Sequence, residues 1–212
     1  MHAPAAQPAQ SLARGSALVR WLVRLLVAAS VGIWGVAIPA TVADAQSMAR
    51  GTPGPSFELT DHKGRPFSSA ALTGRPYAVF FGFTHCPDVC PTTLLEVTNL
   101  LGALGVDADR LSILFVSVDP ERDTPDQLRQ YLDSFDPRIV GLTGTETQIG
   151  AVAKGWSAFY NKLPEDDGTY TIVHSAYIYL MDHNNRLADT MGFQETETEQ
   201  LAKIRSLIGS RE

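Results

Sequence analysis

The stretch YAVFFGFTHCPDVCPTTLLEVTNLLGAL, residues 77–104, decides the fold. Its opening run, Tyr77 to Thr84, is apolar and of strand length, which predicts a strand buried on both faces. Past the cysteines, Leu94, Val97, Leu101 and Leu104 recur at helical spacing and predict a helix ending near Leu104. Pro87 and Pro91 suit the first turn of that helix, where no intrahelical N–H donor is needed. The only two cysteines of the 212-residue chain, Cys86 and Cys90, therefore fall where a buried strand gives way to a helix.

Outward from that junction the chain alternates strand and helix signals. FELTDHKGRPF within residues 56–67 reads as a hairpin turning at Lys63-Gly64, and LSILFVSVD (111–119) as a second buried strand. TPDQLRQYLDSF (124–135) opens with a Thr cap and a first-turn Pro and predicts a helix. IVGLTG (139–144) predicts a strand, and TETQIGAVAKGWSAFYNKL (145–163) a helix weakened by Gly150 and Gly155. YTIVHSAYIYLMD (170–182) predicts one strand, turning at His183-Asn184-Asn185 into RLADTMGF. A closing helix is expected over 197–209. This order predicts an α/β domain, a central mixed sheet with helices on both faces. The cysteines then stand at the carboxyl edge of the sheet, where such proteins place their sites, in a thioredoxin-like arrangement.

The first 45 residues differ in kind. They carry Arg14, Arg20 and Arg24, then an uncharged stretch from Leu25 to Ala43, then Ala43-Asp44-Ala45 as an A-x-A cleavage pattern. Basic, apolar and small segments in that order read as an export signal. The stretch is equally long enough to remain as a membrane anchor, and a buried core helix is the bland alternative. The expected organisation is a signal peptide or anchor over 1–45, a linker over 46–55 and one domain over 56–212, delivered outside the cytoplasm. The whole chain carries 17 basic and 23 acidic residues; without residues 1–45 the balance falls from −6 to −8. So acidic a domain excludes nucleic acid, whose phosphates require Lys/Arg clusters.

A C-x-x-x-C pair admits a disulfide, a redox couple or a metal clamp. On a regular helix, residues four apart hold their Cβ atoms about 5–6 Å apart, whereas a disulfide wants about 3.8 Å. Two thiolates sharing a metal can lie up to ~4.6 Å apart, twice a Zn–S bond. The spacing favours a clamp and leaves a disulfide open, because helix ends are pliable. A helix N-terminus also favours thiolates. Two thiolates with at most an imidazole select Cu(I) over structural zinc, which prefers four ligands. Among the histidines, His2 belongs to the leader, and His62 and His183 are expected to be solvated. His85 should point away from Cys86, since successive extended residues face opposite sides. His174, within an apolar strand whose start a thioredoxin-like topology brings to the cysteine loop, is the candidate third ligand; a satisfied core or edge histidine is the alternative.

With FTHCPDVCPTTL, SVDPERDTP and DGTYTIVHSAYIYLMD in order, the chain resembles the Sco/SenC family of copper chaperones over about residues 53–210. The resemblance implies Cys86, Cys90 and His174 as ligands to a copper ion, Cu(I) with Cu(II) left open. It implies a role for Asp119 near the metal or toward a partner, with a capping or turn role in DPERDTP as the alternative. It further implies an extracytoplasmic protein, in the bacterial periplasm at the inner membrane or on the mitochondrial inner membrane. The implied partners are a copper donor, a thiol reductant and the copper-bearing subunit of cytochrome c oxidase, whose binuclear centre would receive the metal. A second reading is a thiol–disulfide oxidoreductase in which Cys86 and Cys90 are the catalytic pair reducing oxidase-subunit cysteines. A third, peroxidase chemistry, is suggested by VCPTT, which resembles the peroxiredoxin VCPTE. Pro87 stands where that family places a Thr, which argues against it.

Overall fold

The computed structural model describes residues 48–192 and 195–209; the leader read over residues 1–45 lies outside them. Strands β1 (Glu58–Asp61) and β2 (Pro66–Ser68) form the expected hairpin. Gly64, at φ +75°, supplies its left-handed turn, and the Asp61 carboxylate accepts the backbone N–H groups of Lys63 and Arg65, both at 2.9 Å. The two buried runs become β3 (Tyr77–Gly82) and β4 (Ser112–Ser117), joined by helix α1 (Val89–Leu104). Helix α2 (Pro125–Leu132) starts at the expected Thr124, whose hydroxyl accepts the Gln127 N–H. Then come β5 (Ile139–Thr143) and α3 (Glu146–Gly155). Strands β6 (Tyr160–Pro164), β7 (Tyr170–His174), β8 (Ile178–Met181) and β9 (Leu187–Met191) follow, with α4 (Glu197–Gly209) closing the fold.

The main sheet has the order β2-β1-β5-β4-β3-β8-β9, with β3, β4 and β5 parallel and the remaining pairs antiparallel. Successive residues of β3 identify what covers each face. The Phe81 ring meets Trp156, just beyond α3, at 5.8 Å. Phe80, pointing the other way, meets Phe115 at 5.8 Å, and Phe115 meets Tyr131 of α2 at 6.0 Å. α1 lies on the Phe80 side, because a Cβ on Gly82 would stand 2.8 Å from the Cys90 sulfur. Helices thus cover both faces of a mixed sheet, a thioredoxin-like fold. Strands β3 and β4 occupy its centre and are buried at nearly every position, as their unbroken apolar sequence demands.

Two expectations fail for identifiable reasons. The helix read over 145–163 stops at Gly155, because the residues after it pair as a strand with β7; Gly155 itself packs against Pro55 so closely that a Cβ would lie 2.6 Å from the proline ring. Ser157 then takes φ 52° and turns the chain into β6. The single strand read over 170–182 is two strands in different sheets: β7 pairs with β6 in a separate two-stranded ribbon, and β8 pairs with β3. Ser175-Ala176-Tyr177 make the crossing. From residue 48 on, the stretch read as a linker is tied down. Met48 is buried, Gly51 and Gly54 donate to the carbonyls of Leu187 and Asn185 at 2.7 Å, and Pro53 bridges Arg186.

Candidate metal centre

At the carboxyl end of β3 the chain leaves the sheet at Phe83, and three features hold the cysteine loop. The buried Asp123 carboxylate accepts the Thr84 N–H at 2.9 Å, the Thr84 hydroxyl at 2.6 Å and the Ser117 hydroxyl at 2.6 Å. The Cys86 N–H donates to the Phe83 carbonyl at 3.3 Å. Gly82, with no side chain, leaves the space that the Cys90 sulfur fills. The pair is therefore not stacked on a regular helix as its spacing suggested. Cys86 lies ahead of α1 and Cys90 in its first turn, with the Cys90 N–H donating to the Cys86 sulfur at 3.4 Å.

His174, the last residue of β7, arrives from the opposite side. Its Nε2 lies 3.4 Å from the Cys90 sulfur, and the two sulfurs and an imidazole nitrogen all lie within 4.8 Å of one another. The ring is seated edge-on against Phe83 at 5.9 Å and Phe80 at 6.2 Å. Its Nδ1 is 3.0 Å from the Ser175 carbonyl oxygen, which can only accept. In the neutral ring Nδ1 therefore carries the proton, and the Nε2 lone pair faces the sulfurs. Fixing a histidine's far nitrogen in this way is how proteins orient a metal ligand.

The two thiols are unequal. Cys86 is half-buried, and its pKa is pushed well down, chiefly by the hydrogen bond from the Cys90 side chain, against the opposing effect of burial, with the backbone N–H groups of Cys90 and Asp88 adding to it. Cys90 is fully buried and is pushed up by the same sulfur–sulfur hydrogen bond and by burial. The shared hydrogen bond thus drives the two thiols in opposite directions, favouring charge on the more exposed Cys86 and the proton on buried Cys90. Two soft sulfurs and one imidazole, with no carboxylate among them, suit a thiophilic ion such as Cu(I) or Zn(II).

The other candidates fall elsewhere. His85 is exposed; its Nδ1 lies 3.0 Å from the Thr84 hydroxyl and groups with Asp119 and Asp123 instead of the cysteines. His62, expected to be solvated, is half-buried and accepts the Gly141 N–H at 3.1 Å, stitching the β1 end to β5; burial lowers its pKa. His183 sits in the expected turn beside Asn184. Asp119, given a role near the metal or toward a partner by the resemblance, is turned inward. It is fully buried, ion-paired with Arg122 through Nε, and accepts the Tyr170 hydroxyl at 2.8 Å. Sequence reading passed over Asp123, Gly82, Arg122 and Tyr170. The repeated Asp of SVDPERDTP was the available sign of the first.

A thioredoxin-like fold with a dithiol and an imidazole gathered at the carboxyl edge of its sheet defines the class. A model of the SCO1/SenC family matches residues 45–209, and the chain belongs to that family. It is 41% identical over 167 residues to the mitochondrial protein SCO2 of Saccharomyces cerevisiae, covering 76% of this chain and 54% of that protein. It is 42% identical over 135 residues to a SCO2-like protein of Rickettsia prowazekii, covering 63% of this chain and 66% of that one. The chain thus spans about half to two thirds of these relatives' length. Among solved structures, that of Bradyrhizobium japonicum ScoI with copper bound superimposes with a TM-score of 0.69 at 43% identity, covering 74% of this chain and 99% of that one.

Proposed function

We infer that this chain is a copper chaperone that binds one Cu(I) through Cys86, Cys90 and His174 and delivers it to the binuclear copper centre of cytochrome c oxidase. The observation that carries the reading is the convergence of two sulfurs and an imidazole within 4.8 Å. The copper bound in the ScoI structure of a relative 43% identical supports the choice of metal. Loading displaces the Cys90 proton and places the ion among Cys86, Cys90 and His174. The half-exposure of Cys86 and of the imidazole leaves a route by which an acceptor's ligand can attack, so transfer proceeds by exchange without unfolding the donor. Copper is cargo here, and the dithiol must be reduced before it loads, so a copper donor and a thiol reductant are its further partners. The domain works outside the cytoplasm, in the periplasm at the inner membrane, held or delivered by residues 1–45.

A second reading is favoured by the inequality of the thiols. A thiolate at a helix start beside a buried partner thiol is also the arrangement of a disulfide reductase. The discriminating experiment is a competitive Cu(I) titration of the reduced full chain in detergent, beside the Cys86→Ser, Cys90→Ser, His174→Ala and His85→Ala variants. One copper per chain is expected, lost with either cysteine, weakened by His174→Ala and unchanged by His85→Ala. Equal effects of the two histidine substitutions would overturn the ligand assignment. Absence of competitive binding, with reduction of a disulfide substrate intact, would establish the oxidoreductase reading instead.

A further inference from the structure

His174 reaches the cysteines from a ribbon, β6–β7, that is not hydrogen-bonded into the main sheet. Beyond the three-residue crossing into β8, contacts from neighbouring segments hold it against them. The segment Asp119–Asp123 touches both halves of the site. On the cysteine side, Asp123 holds Thr84 through its N–H and hydroxyl. On the histidine side, Tyr170, at the start of β7, donates its hydroxyl to Asp119 at 2.8 Å.

Arg122 joins these two halves. Its Nε pairs with the Asp119 carboxylate, its Nη1 donates to the Tyr170 carbonyl at 2.9 Å, and its guanidinium lies 3.8 Å from the centre of the Tyr170 ring. The same guanidinium lies 5.8 Å from the centre of the Phe83 ring, which on its own account packs edge-on against His174 at 5.9 Å. Lys162 of β6 covers the Tyr170 ring at 4.8 Å and is itself paired with Glu121 at 2.9 Å. A planar guanidinium can make an ion pair, a carbonyl hydrogen bond and two ring contacts at once; an ammonium cannot. Neither Arg122 nor Tyr170 belongs to the cluster of donor atoms.

We propose that Arg122 is a positioning residue for His174, latching the β6–β7 ribbon through Tyr170 and bracing the imidazole through Phe83, so that it sets the distance of the third donor from the cysteine pair. The proposal rests on the reading of Cys86, Cys90 and His174 as ligands. Its consequence is that the imidazole can be displaced while both sulfurs stay in place, giving the site a three-donor and a two-donor form.

The test uses the reduced full chain in detergent and two variants: Arg122→Lys, which keeps a charge beside buried Asp119, and Tyr170→Leu, which opens the latch from the ribbon side. Competitive Cu(I) titration, with the metal alone as ligand, is expected to show about tenfold weaker binding for each. In the His174→Ala background the same substitutions should cost nothing more, because residues that act through one group are non-additive. In the metal-free protein, the His174 imidazole nitrogen resonances, identified by their loss in His174→Ala, should shift in both variants. Losses that add fully to that of His174→Ala, or imidazole resonances unmoved in both variants, would overturn the proposal. If the parent chain fails to bind Cu(I), the ligand reading falls, and the metal-free imidazole spectra still decide whether Arg122 positions His174.

Discussion

Gly82→Ala is the sharpest probe of how the site is packed. Gly82 ends β3 at the sheet centre, with Phe115 beside it and the Cys90 sulfur above it. A Cβ there would stand 2.7 Å from Phe115 Cε2 and 2.8 Å from the sulfur. Ordinary contacts begin near 3.4 Å, so both neighbours must retreat by roughly 0.6 to 0.7 Å. Neither has room, because Phe115 and Cys90 are both fully buried. Overpacking of this kind costs about 1–3 kcal/mol. For a domain of this size that lowers Tm by roughly 2–4 °C per kcal/mol, or about 2–12 °C in all. Thermal and urea denaturation of the reduced protein measure it. The displacement also carries the sulfur away from Cys86 and His174, so Cu(I) affinity should fall with stability. A variant within about 0.5 kcal/mol of the parent, a shift typical of neutral surface sites, would refute the claim that Gly82 exists to seat Cys90.

Three further outcomes are expected. Iodoacetamide should label Cys86 before Cys90, and the Cys86 rate at pH 6 should stay within about threefold of its rate at pH 8. A thiol of ordinary pKa, about 8.5, would slow roughly 80-fold over that range, and such slowing would refute the downward shift of Cys86. With the Cys86 thiol pushed down and the Cys90 thiol pushed up, loading Cu(I) at pH 7 should release about one proton per chain, where two ordinary thiols would release about two; pH-indicator titration in weak buffer distinguishes them. Asp123→Ala should cost about 3 kcal/mol in urea denaturation, since it strips the acceptor from the Thr84 N–H and two hydroxyls. Stability equal to that of the parent would show that Asp123 does not hold the cysteine loop.

The periodicities that survived folding are those whose burial is complete or purely local. The runs around Val79 and Leu114 could be read as central strands because a strand covered on both faces must be apolar at every position. The turns at Gly64 and Asn185 were legible because left-handed backbone selects such residues. Thr124 and Pro125 announced a helix start by their hydrogen-bonding chemistry alone. In the same way, the spacing of Cys86 and Cys90 at a strand-to-helix junction marked the candidate site in one dimension.

What the sequence alone could not decide involved partners distant along the chain. TIVHSAYIYLM carries one continuous β signal, yet β7 and β8 part company at Ser175 because one finds β6 and the other finds β3. The helical pattern after Thr145 ends at Gly155 because Ser157 turns left-handed and the chain beyond it is taken up by pairing of β6 with β7. His174 was a candidate by its setting in an apolar strand; only tertiary packing brings its Nε2 to 3.4 Å from Cys90, 84 residues away, and turns its proton toward Ser175. Asp119 and Asp123 look alike in SVDPERDTP, but the fold gives one to Arg122 and Tyr170 and the other to Thr84 and Ser117. Local propensity and burial are written along the chain, residue by residue. The distance between two donors, and so the chemistry they perform together, belongs to the packing that brings them face to face.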